Sequence, residues 1–101
     1  MRIEWHPAAV EELWQLGTAD QRRIKRALDL LLELQDPRQR LQPYRGDLKD
    51  FWKLRVGDIR LVCQIRREGD DYVLIIRVAH RSSVYSDRSR RLIRARDPDQ
   101  T

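Results

Sequence analysis

The chain has one cysteine, one phenylalanine, two histidines and only three lysines among its 101 residues. A single cysteine, Cys63, excludes an internal disulfide and fits a reducing compartment. His6, His80 and Cys63 are too few and too far apart for a zinc site, and no CxxC or HxxxH spacing occurs. The four glycines form no phosphate-cradling loop, and no paired-carboxylate pattern of a glycosidase or metal-dependent nuclease is present. No apolar run approaches the ~20 residues of a membrane span, and "MRIEWHP" has no signal-peptide core. The expectation is a soluble, cytoplasmic protein, one domain over residues 1–101, with no metal and no cofactor.

What is abundant is arginine. Lysine and arginine together number 21 against 16 acids, a formal charge of +5, and guanidinium forks hold phosphates and carboxylates bidentately. The expected partner is therefore polyanionic. Apolar residues make up 41% of the chain and fall in periodic blocks, so it folds rather than remaining a basic tail.

"RIEW" (2–5) alternates like a short strand, and Pro7 suits the first turn of a helix carrying Val10, Leu13 and Trp14. Gly17 stops that helix. "TADQ" (18–21) reads as a Thr-x-x-Gln capping box, followed by Ile24, Ala27, Leu28, Leu31 and Leu34 at helical spacing up to Asp36-Pro37. A turn this short makes an antiparallel helical hairpin with Arg22, Arg23, Lys25 and Arg26 on its outer side. Residues 37–50 read as a loop. Beyond them the period changes to two, giving strands at 51–56, 59–67 and 72–80, with turns at Gly57-Asp58 and "EGDD". Ser86 is a cap for a short final helix, and "DPDQT" frays. The fold class is α+β: an N-terminal strand, an antiparallel two-helix hairpin, a three-stranded antiparallel meander completing one sheet, and a short C-terminal helix.

With Gly57 and Asp58 as a two-residue loop, Val56 faces Ile59, Arg55 faces Arg60, Leu54 faces Leu61, Lys53 faces Val62 and Trp52 faces Cys63. Trp52, Leu54, Val56, Ile59, Leu61, Cys63 and Ile65 then turn toward the helices. Arg55 opposite Arg60 is a like-charge conflict that points to a bound anion. Strand alternation assigns Val73, Ile75, Arg77, Ala79 and Arg81 to the basic face, so that Lys53, Arg55, Arg60, Arg77 and Arg81 line one concave surface. Any one arginine there reads most simply as solvated, and Tyr85, just past the strand, as a packing residue. Trp5, Trp14 and Trp52 read as core, and His80 as structural.

"YRGDLKDFWKLRVGDIRLVCQI" followed by "YVLIIRVAHRSSVY", behind a strand and a helical hairpin, resembles the RelE/ParE superfamily of toxins from type II toxin–antitoxin pairs, over residues 2–93. The resemblance implies either of two activities: RelE-type members cut messenger RNA in the ribosomal A site, and ParE-type members poison DNA gyrase. The positions matching the nuclease residues are Lys53, Arg60, Arg81 and Tyr85, and Arg55 also sits on a basic family position; Arg55 and, from the basic face, Arg77 are the expected substrate phosphate ligands. Phe51 stands where some relatives have a second lysine, and the segment from Arg81 to Tyr85 is one residue shorter than in some.

The resemblance implies metal-independent cleavage. The 2'-hydroxyl attacks the adjacent phosphate, Tyr85 acts as base, Arg81 serves the leaving oxygen, and Arg60 and Lys53 hold the developing charge. Arg22, Arg23, Arg26, Arg88, Arg90 and Arg91 would bind ribosomal RNA. The implied partners are an acidic antitoxin and the ribosome with its message. A gyrase poison and a non-catalytic binding module are the alternatives.

Overall fold

The computed structural model describes residues 1–99. The expected fraying of "DPDQT" falls partly on residues 100–101, outside the described residues. Within them Asp99 is tied back, accepting from both terminal nitrogens of Arg66 at 3.0 and 3.1 Å.

One five-stranded sheet runs β1-β5-β4-β3-β2. Its strands are β1 (Arg2–Trp5), β2 (Gln42–Pro43), β3 (Trp52–Val56), β4 (Ile59–Glu68) and β5 (Asp70–His80), with helices α1 (Pro7–Trp14), α2 (Thr18–Leu32) and α3 (Asp87–Ala95). The meander β3-β4-β5 is antiparallel, whereas β1 pairs parallel with β5. The loop expected at 37–50 holds the two-residue edge strand β2 and two single 3-10 turns.

The β3–β4 register is the one the turn dictates, from Val56 opposite Ile59 to Trp52 opposite Cys63. Gly57 takes φ +58°, a conformation open to glycine without a Cβ clash. Trp52, Leu54, Val56, Ile59, Leu61, Cys63 and Ile65 all pack into a core with Ala9, Ile24, Leu28 and Leu31 of the helices. Cys63 is a free thiol, fully buried, and burial pushes its pKa up to about 12.

Helix ends differ from their expected positions. The N-cap of α2 is Gly17, so Thr18 is already helical and the capping box does not form; Gln21 instead donates to the Leu16 carbonyl at 2.8 Å. This helix ends at Leu32, before Asp36-Pro37. On α1 the residues facing the sheet are Ala9 and Leu13, with Leu16 beyond, a spacing of four and then three. Trp14 lies one position, ~100° of helix rotation, past Leu13, so it is 67% exposed rather than core. Trp5 and Trp52 pack against the core as expected.

The largest departure is on β5. Cys63 pairs with Ile75 but Val62 pairs with Arg77, so one extra residue, Ile76, is accommodated in a β-bulge. The bulge reverses the alternation partway along the strand. Val73 and Ile75 before it, and Val78 after it, join the core under the helices. Ala79 alone of the expected apolar set faces the other way, with Leu74 and Ile76.

That other face is not an open basic surface. Val62, Ile76 and Ala79 form a second core with Leu48, Phe51, Val84 and Ile93, to which Tyr44 and Leu74 add. Ile93 of α3 and the segment 44–51 cover it. Apolar strand residues between the arginines had to be buried, and the amphipathic α3 supplies the cover. Ser86 caps α3 as expected, its hydroxyl accepting from the Ser89 amide at 3.1 Å.

Candidate active site

Two of the residues assigned to the basic face, Arg60 and Arg81, meet at the Gly57–Asp58 turn. Arg60 does stand opposite Arg55, but the conflict is relieved within the protein. The Arg60 side chain folds along the turn, and Nη1 donates to the carbonyls of Gly57 (2.9 Å) and Ile59 (3.0 Å). The residue is only 7% exposed. Nε and Nη2 have no protein acceptor among the described residues, so Arg60 is a fixed cation with donors to spare.

Arg81 joins the same turn. Its amide donates to the Asp58 carbonyl at 2.8 Å, and its guanidinium lies 3.4 Å from the Asp58 carboxylate in a pair exposed on both sides. An exposed ion pair of this kind is weak and exchanges readily for another anion. Arg55 is exposed on the neighbouring strand.

Tyr85 lies in the turn that follows β5. His80 builds that turn: its Nδ1 accepts from the Ser82 amide at 3.1 Å and its carbonyl from the Ser83 hydroxyl at 3.2 Å. Val84 is buried in the second core, which leaves Tyr85 at the surface, 38% exposed. Arg90 Nε donates to the Tyr85 carbonyl at 3.0 Å, and Arg90 Nη1 to Asp47 at 2.8 Å. The backbone at Tyr85 is thus anchored through α3 to the segment that carries Tyr44.

Tyr44 had no role in the sequence reading. Its ring meets the Tyr85 ring edge-on, with centroids 5.9 Å apart and planes at 74°, and the Lys53 ammonium lies over it, 5.6 Å from the centroid. Lys53, on β3, and Tyr85, 32 positions later, are therefore joined through a shared aromatic neighbour. Burial foremost, and next to it Tyr85, raise the Tyr44 pKa above the ordinary tyrosine value, opposed by the positive charge of Arg60. Tyr44 is a neutral phenol. The only sequence signal for it was an aromatic residue just before the Arg45-Gly46 turn in the stretch that carries the family resemblance.

Arg77 does not belong to this group. The bulge sends its side chain to the β5 edge, where it pairs with Glu12 of α1 and donates to the Ser89 hydroxyl at 2.7 Å. Glu12 also accepts from Arg96 and from the Val78 amide. Burial lowers the Arg77 pKa, and Glu12 offsets this. The acid that strand alternation did not supply comes from a helix.

Of the outer arginines, Arg22, Arg23 and Arg26 lie exposed on α2, and Arg88 and Arg91 on α3. Arg23 pairs with Asp20. Arg90 donates to Asp47 and to the Tyr85 carbonyl.

No group of three or more metal-ligating side chains occurs among the described residues, and no described helix is long and apolar enough to cross a membrane.

Residues 3–85 match the family described as ParE toxin of type II toxin–antitoxin system, parDE. No curated protein matches the chain. Among solved structures, the chain is similar to an arginine-to-alanine double mutant of the E. coli toxin RelE in complex with a RelB antitoxin peptide, at 29% identity over 85% of this chain and 90% of that one, with a TM-score of 0.56. It is similar to the archaeal RelE in its RelE–RelB complex from Pyrococcus horikoshii, at 26% identity over 81% and 96%, TM-score 0.61. The free form of the E. coli mutant has the same fold, with 23% identity over 94% and 95% and a TM-score of 0.67.

Proposed function

The chain belongs to the ParE toxin family of type II toxin–antitoxin systems, and from that premise we propose that it is a ribosome-dependent endoribonuclease of the RelE type. The observations that support this reading are two small clusters linked through Tyr44, whose phenol feels the positive charge of Arg60. Arg60 and Arg81 share the Gly57–Asp58 turn, and Lys53 and Tyr85 share Tyr44.

In this reading the phosphate of the cleaved message is held by Arg60 through its free nitrogens, by Arg55 and by Lys53. The 2'-hydroxyl gives its proton to the Tyr85 oxygen, and its oxygen bonds to phosphorus. The phosphorus–5'-oxygen bond breaks, and the departing oxygen is stabilised by Arg81, with its proton drawn from Arg81 or from water. The products are a cyclic phosphate and a free 5'-hydroxyl. Tyrosine and arginine are a weak acid–base set, so positioning of the codon by the ribosome supplies much of the rate. Arg22, Arg23, Arg26, Arg88 and Arg91 face ribosomal RNA phosphates, and an acidic antitoxin silences the toxin by covering the basic end.

The test is primer extension on a translated message after induction, with Tyr85→Phe and Arg81→Ala alongside. Cuts at codon boundaries, lost in both variants while folding and antitoxin binding persist, support the reading. Intact message with broken DNA supports the gyrase alternative that the family membership also allows. Full toxicity in both variants sinks the nuclease assignment.

A further inference from the structure

Tyr44 stands between two of the residues to which the nuclease reading assigns chemistry, and its hydroxyl is out of place in a purely structural role. That oxygen is buried and makes no hydrogen bond with any described residue. A buried donor without a partner is destabilising, and phenylalanine would supply the same ring contacts without it. A polar group kept at such a cost is accounted for by what it does in a reacting state.

The surroundings specify that state. The Tyr85 ring stands edge-on to the Tyr44 ring, with centroids 5.9 Å apart, and Tyr85 follows burial among the causes that raise the Tyr44 pKa. The groups around the pair are Lys53 from β3, Arg60 and the neutral Cys63 thiol from β4, and Arg90 from α3 with Asp47 behind it. The buried Tyr44 phenol keeps its proton, and the exposed Tyr85 is the member of the pair to which the nuclease reading assigns the proton transfer.

We infer that Tyr44 is a positioning residue for Tyr85: its ring fixes the Tyr85 ring edge-on, and its hydroxyl donates to the Tyr85 oxygen once that oxygen has given up its proton. The inference rests on the nuclease reading. When the 2'-hydroxyl proton passes to Tyr85, the Tyr44 donor is released again, and Tyr44 itself is never deprotonated.

The experiment is single-turnover cleavage of message on programmed ribosomes across the neutral to alkaline range, with Tyr44→Phe, Tyr44→Leu, Tyr85→Phe and the Tyr44→Phe/Tyr85→Phe double variant. A hydrogen bond to a charged oxygen is worth roughly tenfold or more in rate. Tyr44→Phe is therefore expected to cut about tenfold more slowly, with its rising pH limb displaced to higher pH and no loss of thermal stability. Tyr44→Leu, which removes the ring as well, is slower still. On the residual single-turnover rate of Tyr85→Phe, Tyr44→Phe has no further effect, which a purely structural role would not produce. Wild-type rate and pH profile in Tyr44→Phe, with a wild type that cuts, overturns the inference alone. A wild type that does not cut overturns the nuclease reading and this inference with it.

Discussion

Arg96 grips Glu12 through both terminal nitrogens, at 2.9 and 3.1 Å, across 84 positions of sequence. The same Arg96 donates to the Ile76 carbonyl at 3.0 Å, on the extra residue of the bulge. Two arginines, one carboxylate and the Val78 amide thus tie α1, β5 and α3 together at a half-buried point. Because α3 begins directly after the turn bearing Tyr85, this tie also limits how far Tyr85 can move.

Removing the carboxylate leaves Arg77 and Arg96 half-buried and unpaired, a circumstance that costs about 3 kcal/mol. Glu12→Ala is expected to lose about that much in chemical denaturation, and Glu12→Gln somewhat less. A loss under about 1 kcal/mol in Glu12→Ala would mean that the charges are solvated well enough without each other.

Arg81 and Asp58 form the opposite kind of pair, exposed on both sides. Arg81→Ala should change the unfolding midpoint by less than about 1 kcal/mol while abolishing toxicity in a growth assay. A large loss of stability would make its loss of toxicity uninformative, and Arg81→Gln would then be compared.

Arg88 and Arg90 are two positions apart on α3 but do different work. Under the proposed function, Arg88→Gln, which removes an exposed cation, is expected to weaken ribosome binding with a salt slope smaller by about one. Arg90→Gln instead frees the Tyr85 carbonyl and Asp47, and is expected to lower the cleavage rate with little change in that slope. Matching salt slopes in all three proteins would remove Arg88 from the RNA-binding set.

His6 caps α1, its Nδ1 accepting from the Ala8 amide at 3.1 Å. Burial first, and then the charge of Arg96, hold its pKa below the ordinary histidine value, with Glu12 opposing. The folded chain thus binds fewer protons here than the unfolded chain over the interval just below about 6.5. Stability from this residue is present above that value and is lost as pH falls through the interval. His6→Asn keeps a capping oxygen without the titration. Between about pH 7.5 and about pH 5.5 the wild type should lose more thermal stability than His6→Asn; equal losses would remove His6 from the acid response.

Local chemistry was readable residue by residue. Gly57-Asp58 determined the β3–β4 register, because a two-residue turn with glycine first closes the hairpin in one way and the period of two does the rest. Ser86 marked the start of α3, because a hydroxyl before a helical run can satisfy an orphan amide. The stretch through Tyr85 carried the family resemblance, and with it Lys53, Arg60 and Arg81. Each of these depends on neighbours a few positions away.

The tertiary structure decided what depends on contact across long separations. The bulge at Ile76 arises because β5 must serve two cores, and no local pattern marks the residue where its alternation reverses. It took Arg77 from the basic face and gave it to Glu12, an acid 65 positions away. The packing of α3 and the 44–51 segment turned an expected open surface into a second core. That packing also brought Tyr44 against Tyr85 and under Lys53. A side chain's neighbours across 41 positions are set by how whole elements stack, and that is where the candidate site acquired the residue the sequence did not disclose.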